Sequence, residues 1–437
     1  MSKKLIKNVT VLTMNSMKEI IENGVVVIDM DTILDIGGDE LIVKYSDCEC
    51  IDGEGGILIP GFVNGHTHCA MVAFRSLGDD VADRLKRYLF PLEKLLVDKE
   101  LVSIGSKYGV CEMALGGVTT FADMYYFEDE VAKSTREVGL RAVLGETILD
   151  FKAPDAEIPY GGLDYCDWFI DKWKKDDLVT PAVAPHAPYS NDTLHLQKAY
   201  KLAEDKDVPI LMHISETTNE VEKYLKEYKL TPVQYLDKIG VLNSRMVGAH
   251  LIHVNDEDLE TLKMRKVGIS HNIGANAKGA HGVAPAYKMF TMDMKIGLGT
   301  DGPMSGNTLD IITQMGLVAK VHKLFNNDRT IFSAEQIVEM ATMGGARALN
   351  LDHKIGSIEI GKKADLVIVE TKSINMQPIY DYYSALVYSA NPSNVSTVMV
   401  NGKIIVKNKV LLTQDYGVLS KDFKKMKNKV VTAASTL

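Results

Sequence analysis

The chain has 437 residues, of which 46% are hydrophobic and 24% are charged, a composition typical of a folded globular protein. Its net charge of −9 argues against an extended nucleic-acid surface, which needs clustered positive charge. A chain of this length can bury a large core without a disulfide or structural metal, so any metal-binding pattern is interpreted as chemistry.

The cysteine content and the hydropathy pattern predict a cytoplasmic protein. The five cysteines are odd in number and form no C-x-x-C pair, which is typical of a reducing compartment. The N-terminus has no long apolar segment after its charged start, and the sequence contains no uninterrupted apolar span of about 20 residues. We therefore predict neither an export signal nor a membrane helix.

The two ends of the chain have the same hydropathy pattern. Residues 4–52, 364–370 and 395–412 alternate apolar, often β-branched positions with polar ones, which predicts short strands, and Asn401-Gly402 is typical of a hairpin turn. The predicted class is an α/β protein, a (β/α)8 TIM barrel with a small β-sandwich domain built from both termini. The predicted boundaries are 1–57 plus 362–420 for the β-sandwich, 58–361 for the barrel, and 421–437 for a C-terminal helix or tail.

The middle of the chain alternates short apolar strands with helical patterns, such as residues 192–207, for which Asn191 or Asp192 is the candidate N-cap. A barrel of eight strand–helix units needs about 250 residues, which this region provides. A doubly wound open sheet is the alternative, but no early strand is followed by a G-x-G-x-x-G turn. The eight candidate strands are LIPGFVNGH, TTFADMY, RAVLGETI, VTPAVAPHAP, PILMHISE, VGAHLIH, VGISHN and IGLGTD.

Histidines and acids concentrate where these strands end. In a barrel the carboxyl ends of the strands converge on one face, and that face carries the active site. Residues more than 230 positions apart in sequence can therefore share one cavity. The residues concerned are His66, His68, His186, His213, Glu216, His250, His271 and Asp301.

The pair His66 and His68 is the sharpest local signal, because side chains at i and i+2 of a strand point the same way and can reach one ion. Each member of the set also has a simpler interpretation. The pair could be polar loop histidines, His213 a satisfied core histidine, and Asp301 a turn residue before Gly302. Their shared position at strand ends favours the metal site.

We predict one divalent ion held by His66, His68, His213 and Asp301, with zinc favoured and iron as the alternative. Such an ion lowers the pKa of bound water to about 7. Glu216 would carry a proton from that water to the substrate, and Asp301 would both bind the ion and accept a proton. His250 would orient the nucleophile and stabilise developing charge.

The motifs together resemble the amidohydrolase superfamily, and within it the deaminases that act on methylthioadenosine and S-adenosylhomocysteine. The resemblance covers nearly the whole chain, including the terminal β-regions. Two further segments, PLE at 91–93 and PHAPY at 185–189, match nucleoside-contacting positions of that group. The superfamily motifs are PGFVNGHTH at 60–68, HISE at 213–216, GAHLIH at 248–253, SHN at 270–272, LGTDG at 298–302 and the stretch from Ala341 to Glu370.

The resemblance implies a mononuclear metal site, because RAVLGETI offers no lysine for a second ion. It implies that Glu93 contacts ribose, that His186 contacts the purine, and that Glu216 protonates the ring nitrogen while ammonia leaves. It also implies a small heterocyclic substrate and self-association into a homo-oligomer. No nucleic acid or membrane partner is expected.

Three positions depart from the pattern of that group. Arg84 replaces a tryptophan, Glu146 stands where an arginine is often found, and Ile273 replaces a proline. A carboxylate at 146 in the cleft would repel an anionic substrate tail. We therefore predict adenosine, 5'-deoxyadenosine or 5'-methylthioadenosine as substrates in preference to S-adenosylhomocysteine, with Glu146 at the substrate.

Two alternatives remain open at the level of the sequence. The same metal site would serve a deaminase or chlorohydrolase of another amino-heterocycle, such as guanine, a pterin, cytosine or a triazine. A non-catalytic barrel used for assembly or binding is the second alternative. It is disfavoured because all six predicted metal-binding and catalytic positions carry residues suited to those roles.

Overall fold

The structure, a computed structural model, describes residues 3–437. Two eight-stranded sheets organise it, one built from both ends of the chain and one from the middle. The strands are β1 Lys4–Leu12, β2 Ile20–Asp29, β3 Thr32–Gly37, β4 Glu49–Pro60, β5 Phe62–Thr67, β6 Val118–Tyr125, β7 Arg141–Ile148, β8 Val179–Pro185, β9 Ile210–Ile214, β10 Met246–His250, β11 Gly268–His271, β12 Ile296–Leu298, β13 Leu366–Val369, β14 Val395–Val400, β15 Lys403–Lys407 and β16 Val410–Leu411.

Helices connect the strands of the middle sheet and cover its outer surface. Short 3-10 or π turns supplement them, notably at Cys69–Phe74, Leu85–Leu89 and Met340–Gly344. The α-helices are α1 Glu40–Lys44, α2 Phe90–Leu96, α3 Lys99–Leu115, α4 Glu128–Val138, α5 Gly162–Trp173, α6 Thr193–Lys206, α7 Thr218–Tyr228, α8 Pro232–Lys238, α9 Asp256–Arg265, α10 Ile273–Lys278, α11 Ala286–Thr291, α12 Pro303–Gly306, α13 Ile311–Phe325, α14 Ala334–Glu339, α15 Gly345–Ala348, α16 Tyr382–Ser384 and α17 Tyr416–Ala434.

The strands from the two chain ends form one continuous mixed sheet in the order β16-β15-β14-β13-β4-β1-β2-β3. The centre of this sheet joins both termini, because β4 pairs with β1 on one side and with β13 on the other. The predicted hairpin connects β14 to β15, where Asn401 and Gly402 have φ values of 46° and 69°. Positive φ at both central residues is what a type I′ turn requires.

The middle strands β5 to β12 run parallel and in chain order, so the predicted barrel is confirmed. Two backbone contacts close the barrel, since the amides of Thr300 and Asp301 donate to the His66 carbonyl at 3.2 and 3.0 Å. The Asn64 side chain adds a bond of 2.8 Å to the Thr300 hydroxyl. The barrel interior is filled by small and branched side chains, which include Val63, Ala122, Val143, Ala182, Leu211 and Val247.

The predicted domain boundaries remain predictions, although two elements extend beyond them. Strand β4 continues to Pro60 and so runs past the boundary placed at 57. Helix α17 begins at Tyr416 rather than at 421, because the Asp415 side chain accepts a bond from the amide of Val418. Phe423 of α17 packs on Tyr108 of α3 with ring centroids 4.2 Å apart.

Among residues 3–437, no helix combines the length and the apolar character that crossing a bilayer would require.

Candidate metal centre and catalytic site

The site residues lie at the carboxyl ends of the barrel strands. His66 belongs to β5, His213 to β9 and His250 to β10, and Asp301 follows β12. Four residues at these ends have left-handed backbone, namely Ser215 (φ 51°), His250 (φ 74°), Leu251 (φ 47°) and Asp301 (φ 61°). Non-glycine residues adopt this conformation at some cost, and such residues cluster at functional sites.

The four predicted metal ligands converge. His68 Nε2 lies 3.2 Å from His213 Nε2 and 3.3 Å from Asp301 Oδ1, and His66 Nε2 lies 3.6 Å from the same carboxylate oxygen. All four side chains are buried. Tetrahedral zinc with ligand bonds of about 2.0–2.1 Å places its ligand atoms about 3.3–3.4 Å apart. The observed spacings match that geometry.

Hydrogen bonds behind the rings orient their free nitrogens toward the centre. His68 Nδ1 contacts the Met124 carbonyl, and His213 Nδ1 lies 2.7 Å from the His186 carbonyl. A carbonyl only accepts, so each Nδ1 carries the proton and each Nε2 of a neutral ring keeps its lone pair. When both rings are neutral, the two lone pairs face each other at 3.2 Å, an arrangement that a cation bound between them stabilises.

An unpartnered buried atom supports the same conclusion. His66 Nε2 has no hydrogen-bond partner within residues 3–437, although it is fully enclosed. Buried polar atoms are nearly always paired, and an orphan points to an ion or water. The donor set of three imidazoles and one carboxylate therefore fits a divalent metal ion.

The charges in the site are strongly perturbed without an ion. Burial lowers the pKa of His66 to about 4. Burial would also lower the pKa of His68, but the Asp301 carboxylate outweighs it and raises the value to about 9. Conversely, burial opposes ionisation of Asp301, yet the His66 and His68 imidazoles hold the pKa of that carboxyl well below its usual range. The cluster therefore holds an ionised Asp301 beside the imidazoles.

Glu216 and His250 lie at the edge of this cluster. The His250 ring is 5.5 Å from that of His213, and its Nε2 lies 4.0 Å from Glu216 Oε1. His250 Nδ1 is bound to Asn276 Oδ1 at 2.9 Å, which leaves Nε2 directed to the site. Burial would raise the pKa of Glu216, but the nearby His250 and His281 imidazoles lower it. Glu216 is thus an ionised carboxylate beside two imidazoles.

Two more predicted residues form a neighbouring wall. His186 has its ring 4.7 Å from that of His213, and its Nδ1 lies 3.0 Å from the Ser190 hydroxyl. Glu93, on α2, accepts a bond of 2.7 Å from the Tyr125 hydroxyl, and burial raises the pKa of Glu93 to about 7. These side chains offer polar atoms to a ligand next to the metal centre.

Glu146 lies elsewhere. A Cβ on its neighbour Gly145 would meet Ala182, Ala184 and Leu211, which face the barrel interior, so position 146 faces the opposite way. The Glu146 carboxylate accepts a bond of 3.1 Å from the Glu128 amide at the start of α4. The structure therefore does not bring Glu146 together with the histidines.

The position of Arg84 is fixed by contacts at the rim. Its guanidinium donates to the Met304 carbonyl at 2.7 Å and lies 3.7 Å from Asp79. Lys278 of α10 contacts the same two partners, at 3.3 Å and 2.7 Å. Two cationic side chains, Arg84 and Lys278, therefore border this side of the site, and both contact the Asp79 carboxylate.

Sequence reasoning missed three residues that support Glu216 and His250. Asn276 binds His250, His281 Nδ1 lies 3.3 Å from Glu216 Oε1, and the Glu220 carboxylate accepts the amides of Ser215 and Glu216, each at 2.9 Å. The sequence could have indicated Glu220, since an acid in the first turn of a helix after a strand end often binds free amides. No sequence pattern indicated Asn276 or His281, because neither residue directly follows a strand.

The fold and the site define a hydrolase with a divalent metal centre at the mouth of a (β/α)8 barrel. The sequence model of the amidohydrolase family matches residues 57–405, and the chain belongs to that family.

Two curated relatives cover nearly the whole chain. The 5-methylthioadenosine/S-adenosylhomocysteine deaminase of Thermodesulfovibrio yellowstonii is 39% identical over 402 residues, which are 91% of this chain and 92% of the relative. The protein of the same name from Thermoanaerobacter pseudethanolicus is 40% identical over 415 residues, 94% of this chain and 95% of the relative.

A solved structure agrees in fold and in length. An adenosine deaminase from Xanthomonas campestris with bound zinc superposes with a TM-score of 0.94 at 29% sequence identity, and the match covers 98% of each chain. The predicted resemblance to the amidohydrolases and to this group of deaminases is therefore confirmed.

Proposed function

We propose that the protein is a metal-dependent hydrolytic deaminase of adenosine-type nucleosides, which releases ammonia and leaves the inosine analogue. The observation that carries the proposal is the four-ligand centre of His66, His68, His213 and Asp301, with Glu216 and His250 beside it. The names of the curated relatives and the adenosine deaminase neighbour support the same activity.

The four ligands would hold the ion, which supplies Lewis acidity that makes a water molecule nucleophilic near neutral pH. Glu216 accepts a first proton from the water and delivers it to the purine nitrogen next to the amino-bearing carbon as the water oxygen adds to that carbon. His250 Nε2 faces the reacting face and stabilises the charge that develops there. Asp301 accepts the second proton of the water and passes it to the amino group, which leaves as ammonia while the carbonyl of the inosine analogue forms.

His186 and Glu93 are the proposed substrate contacts, the first at the purine and the second at the ribose hydroxyls. The proposed substrates are adenosine, 5'-deoxyadenosine and 5'-methylthioadenosine. We leave Glu146 out of the substrate site because its carboxylate is committed to the start of α4. Without that charge in the cleft, S-adenosylhomocysteine also belongs in the test panel.

Zinc is the proposed native ion, because three imidazoles and one carboxylate suit it and because the adenosine deaminase neighbour binds zinc. Iron is the alternative, and metal analysis of the purified protein separates the two. A cytoplasmic location and a homo-oligomeric state complete the proposal. The five free cysteines, among the described residues, suit a reducing compartment.

The decisive experiment measures ammonia release from the zinc-loaded protein with adenosine, 5'-deoxyadenosine, 5'-methylthioadenosine, S-adenosylhomocysteine, guanine and cytosine. We expect turnover of the adenosine-type nucleosides only. Glu216→Gln is the matched control, since it keeps the shape of the side chain but lowers the rate by about 10²–10⁴, the usual scale for a general acid or base. Turnover restricted to guanine or cytosine would overturn the substrate assignment, and a fully active Glu216→Gln would overturn the role of Glu216.

A further inference from the structure

Glu216 has a second imidazole neighbour that the strand ends do not supply. His281 lies in the loop after α10, and its Nδ1 is 3.3 Å from Glu216 Oε1, closer than the 4.0 Å that separates His250 Nε2 from the same oxygen. We propose that His281 is a positioning residue, whose Nδ1 donates to Glu216 Oε1 and holds the carboxylate in the orientation needed for proton transfer. This inference rests on the proposed role of Glu216.

The backbone around His281 is anchored by the residue that also orients His250. The His281 amide donates to the Asn276 carbonyl at 3.0 Å, and the Asn276 side-chain oxygen pairs with His250 Nδ1 at 2.9 Å. Asn276 is fully buried. One buried residue therefore sets the positions of both imidazoles that flank Glu216, which is the rigid support that a catalytic carboxylate requires.

The other side of Glu216 is held as well. The Glu220 carboxylate accepts the backbone amides of Ser215 and Glu216, so the peptide that carries Glu216 is fixed. The Glu216 side chain still has its own torsions, and contacts to its carboxylate oxygens help to restrict them. His281 supplies the shorter of the two imidazole contacts to Oε1. The distance of 3.3 Å between His281 Nδ1 and Glu216 Oε1 is that of a long hydrogen bond, and catalytic hydrogen bonds often shorten once substrate binds.

A glycine leaves room for the His281 ring. A Cβ on Gly279 would lie 2.9 Å from His281 Nε2 and 3.1 Å from both Cδ2 and Cε1. A methyl group at 279 would therefore push the ring away while leaving the imidazole in the protein. Gly279 has no left-handed φ, so alanine is tolerated there by the backbone. This provides a way to move the ring without changing its chemistry.

The charges around His281 agree with a donor role. The Glu216 carboxylate, as a hydrogen-bond acceptor, raises the pKa of His281 against its half-burial, and Asp301 adds to the effect while Arg84 opposes it. The protonated form of the ring donates from both nitrogens, so in that form Nδ1 donates to Glu216 whichever neutral tautomer the ring would prefer.

The test compares kcat and KM of zinc-loaded His281→Ala, His281→Asn and His281→Gln for the best nucleoside substrate. We expect His281→Ala to lower kcat by about 10- to 100-fold with KM nearly unchanged, the scale of a misoriented catalytic group. Asparagine places an amide nitrogen where Nδ1 stood and should restore most of kcat, whereas glutamine places it too far away and should not. Gly279→Ala should resemble His281→Ala. Equal rescue by both amides, or a kcat of His281→Ala within twofold of the wild type, would overturn the proposal.

A second comparison uses Glu216→Gln as the background. If His281 acts only through the carboxylate, adding His281→Ala to Glu216→Gln should lower the rate by less than twofold more, and additive losses would overturn the proposal. The two hypotheses fail differently. An active Glu216→Gln contradicts the proposed function, while an inactive Glu216→Gln with a fully active His281→Ala contradicts only the role of His281. Zinc content and thermal unfolding of each variant identify any loss of activity that comes from misfolding. If the His281 variants misfold, Gly279→Ala provides the test of the role of His281.

Discussion

At the scale of single residues, Glu146 has an unusual environment outside the metal centre. Its carboxylate is fully buried between β7 and α4, one oxygen accepts the Glu128 amide, and the other has no partner within the described chain. Burial first, and then the nearby carboxylate of Asp155, raise the pKa of Glu146 well above its usual range. The folded protein therefore favours the neutral, protonated form of Glu146.

This protonation makes stability depend on pH. Above the usual carboxyl range the unfolded chain releases the Glu146 proton, whereas the folded chain keeps it. The free energy of unfolding should then fall as the pH rises, by about 1.4 kcal/mol per pH unit for one proton, until the pH reaches the raised pKa of the folded state. Glu146→Gln cannot titrate and keeps the acceptor for the Glu128 amide. We expect the stability of the variant relative to the wild type to increase as the pH rises above the usual carboxyl range, measured by urea unfolding.

The control for that measurement is Glu157→Gln, because the Glu157 side chain is 88% exposed and a change there should leave the pH slope as it is. Parallel stability curves for Glu146→Gln and the wild type would show that Glu146 is ionised in the folded state, and the assignment would fail.

At the scale of secondary-structure elements, the proposed metal centre joins strands that are far apart in sequence. Its proposed ligands come from the end of β5, from β9 and from the turn after β12. An ion that binds only the folded arrangement stabilises it by about 4 kcal/mol when its free concentration is 1,000 times the dissociation constant. We therefore expect a chelator to lower the thermal midpoint and added zinc to restore it.

Asp301→Asn should lose most of this response, because the neutral amide is a poor ligand for zinc. Asp352→Asn, at an exposed position outside the site, is the matched control and should respond like the wild type. The site assignment would be contradicted if the chelator lowered the midpoint of Asp301→Asn as much as that of the control.

The same elements show what the sequence could and could not predict. His66, His213, His250 and Asp301 were predicted as site residues because each ends an apolar run, and parallel strands in a barrel bring their ends together. Strand β7 is buried on both faces, so its sequence has no alternation that tells which way residue 146 points. The predicted substrate role of Glu146 needed that direction, which only the packing of the strand against α4 supplies.

His281 was beyond sequence reasoning for a different reason. It follows α10 in a glycine-containing loop, and its contact with Glu216 depends on where the Asn276 carbonyl and the open space over Gly279 place the ring. Neither hydrophobic periodicity nor a motif encodes the path of such a loop. Loop contacts of this kind require coordinates, whereas strand ends do not.

At the scale of the whole molecule, a buried ion pair links the barrel to the terminal sheet. The Arg141 guanidinium at the start of β7 contacts the Asp365 carboxylate at 2.9 Å, and both side chains are at most 4% exposed. Asp365 also accepts the Asn401 amide at 2.7 Å, and Arg141 donates to the Asn401 side chain and to the Asp177 carbonyl. The pair therefore fixes the β14–β15 hairpin against the barrel, at the end opposite the metal centre.

Arg141→Met should destabilise the protein by about 3–5 kcal/mol, because it leaves the Asp365 carboxylate buried without a counter-charge. The double variant Arg141→Met with Asp365→Asn should recover part of this loss, since the amide oxygen still accepts from Asn401 and no charge is stranded. Urea unfolding of the two variants and of Asp365→Asn alone gives the coupling between the positions.

Arg141 begins β7, whereas the proposed metal ligands lie at the strands' carboxyl ends, so kcat of the folded Arg141→Met protein should match the wild type. A loss below about 1 kcal/mol, or a fall in kcat without a change in stability, would contradict a purely structural role for this link.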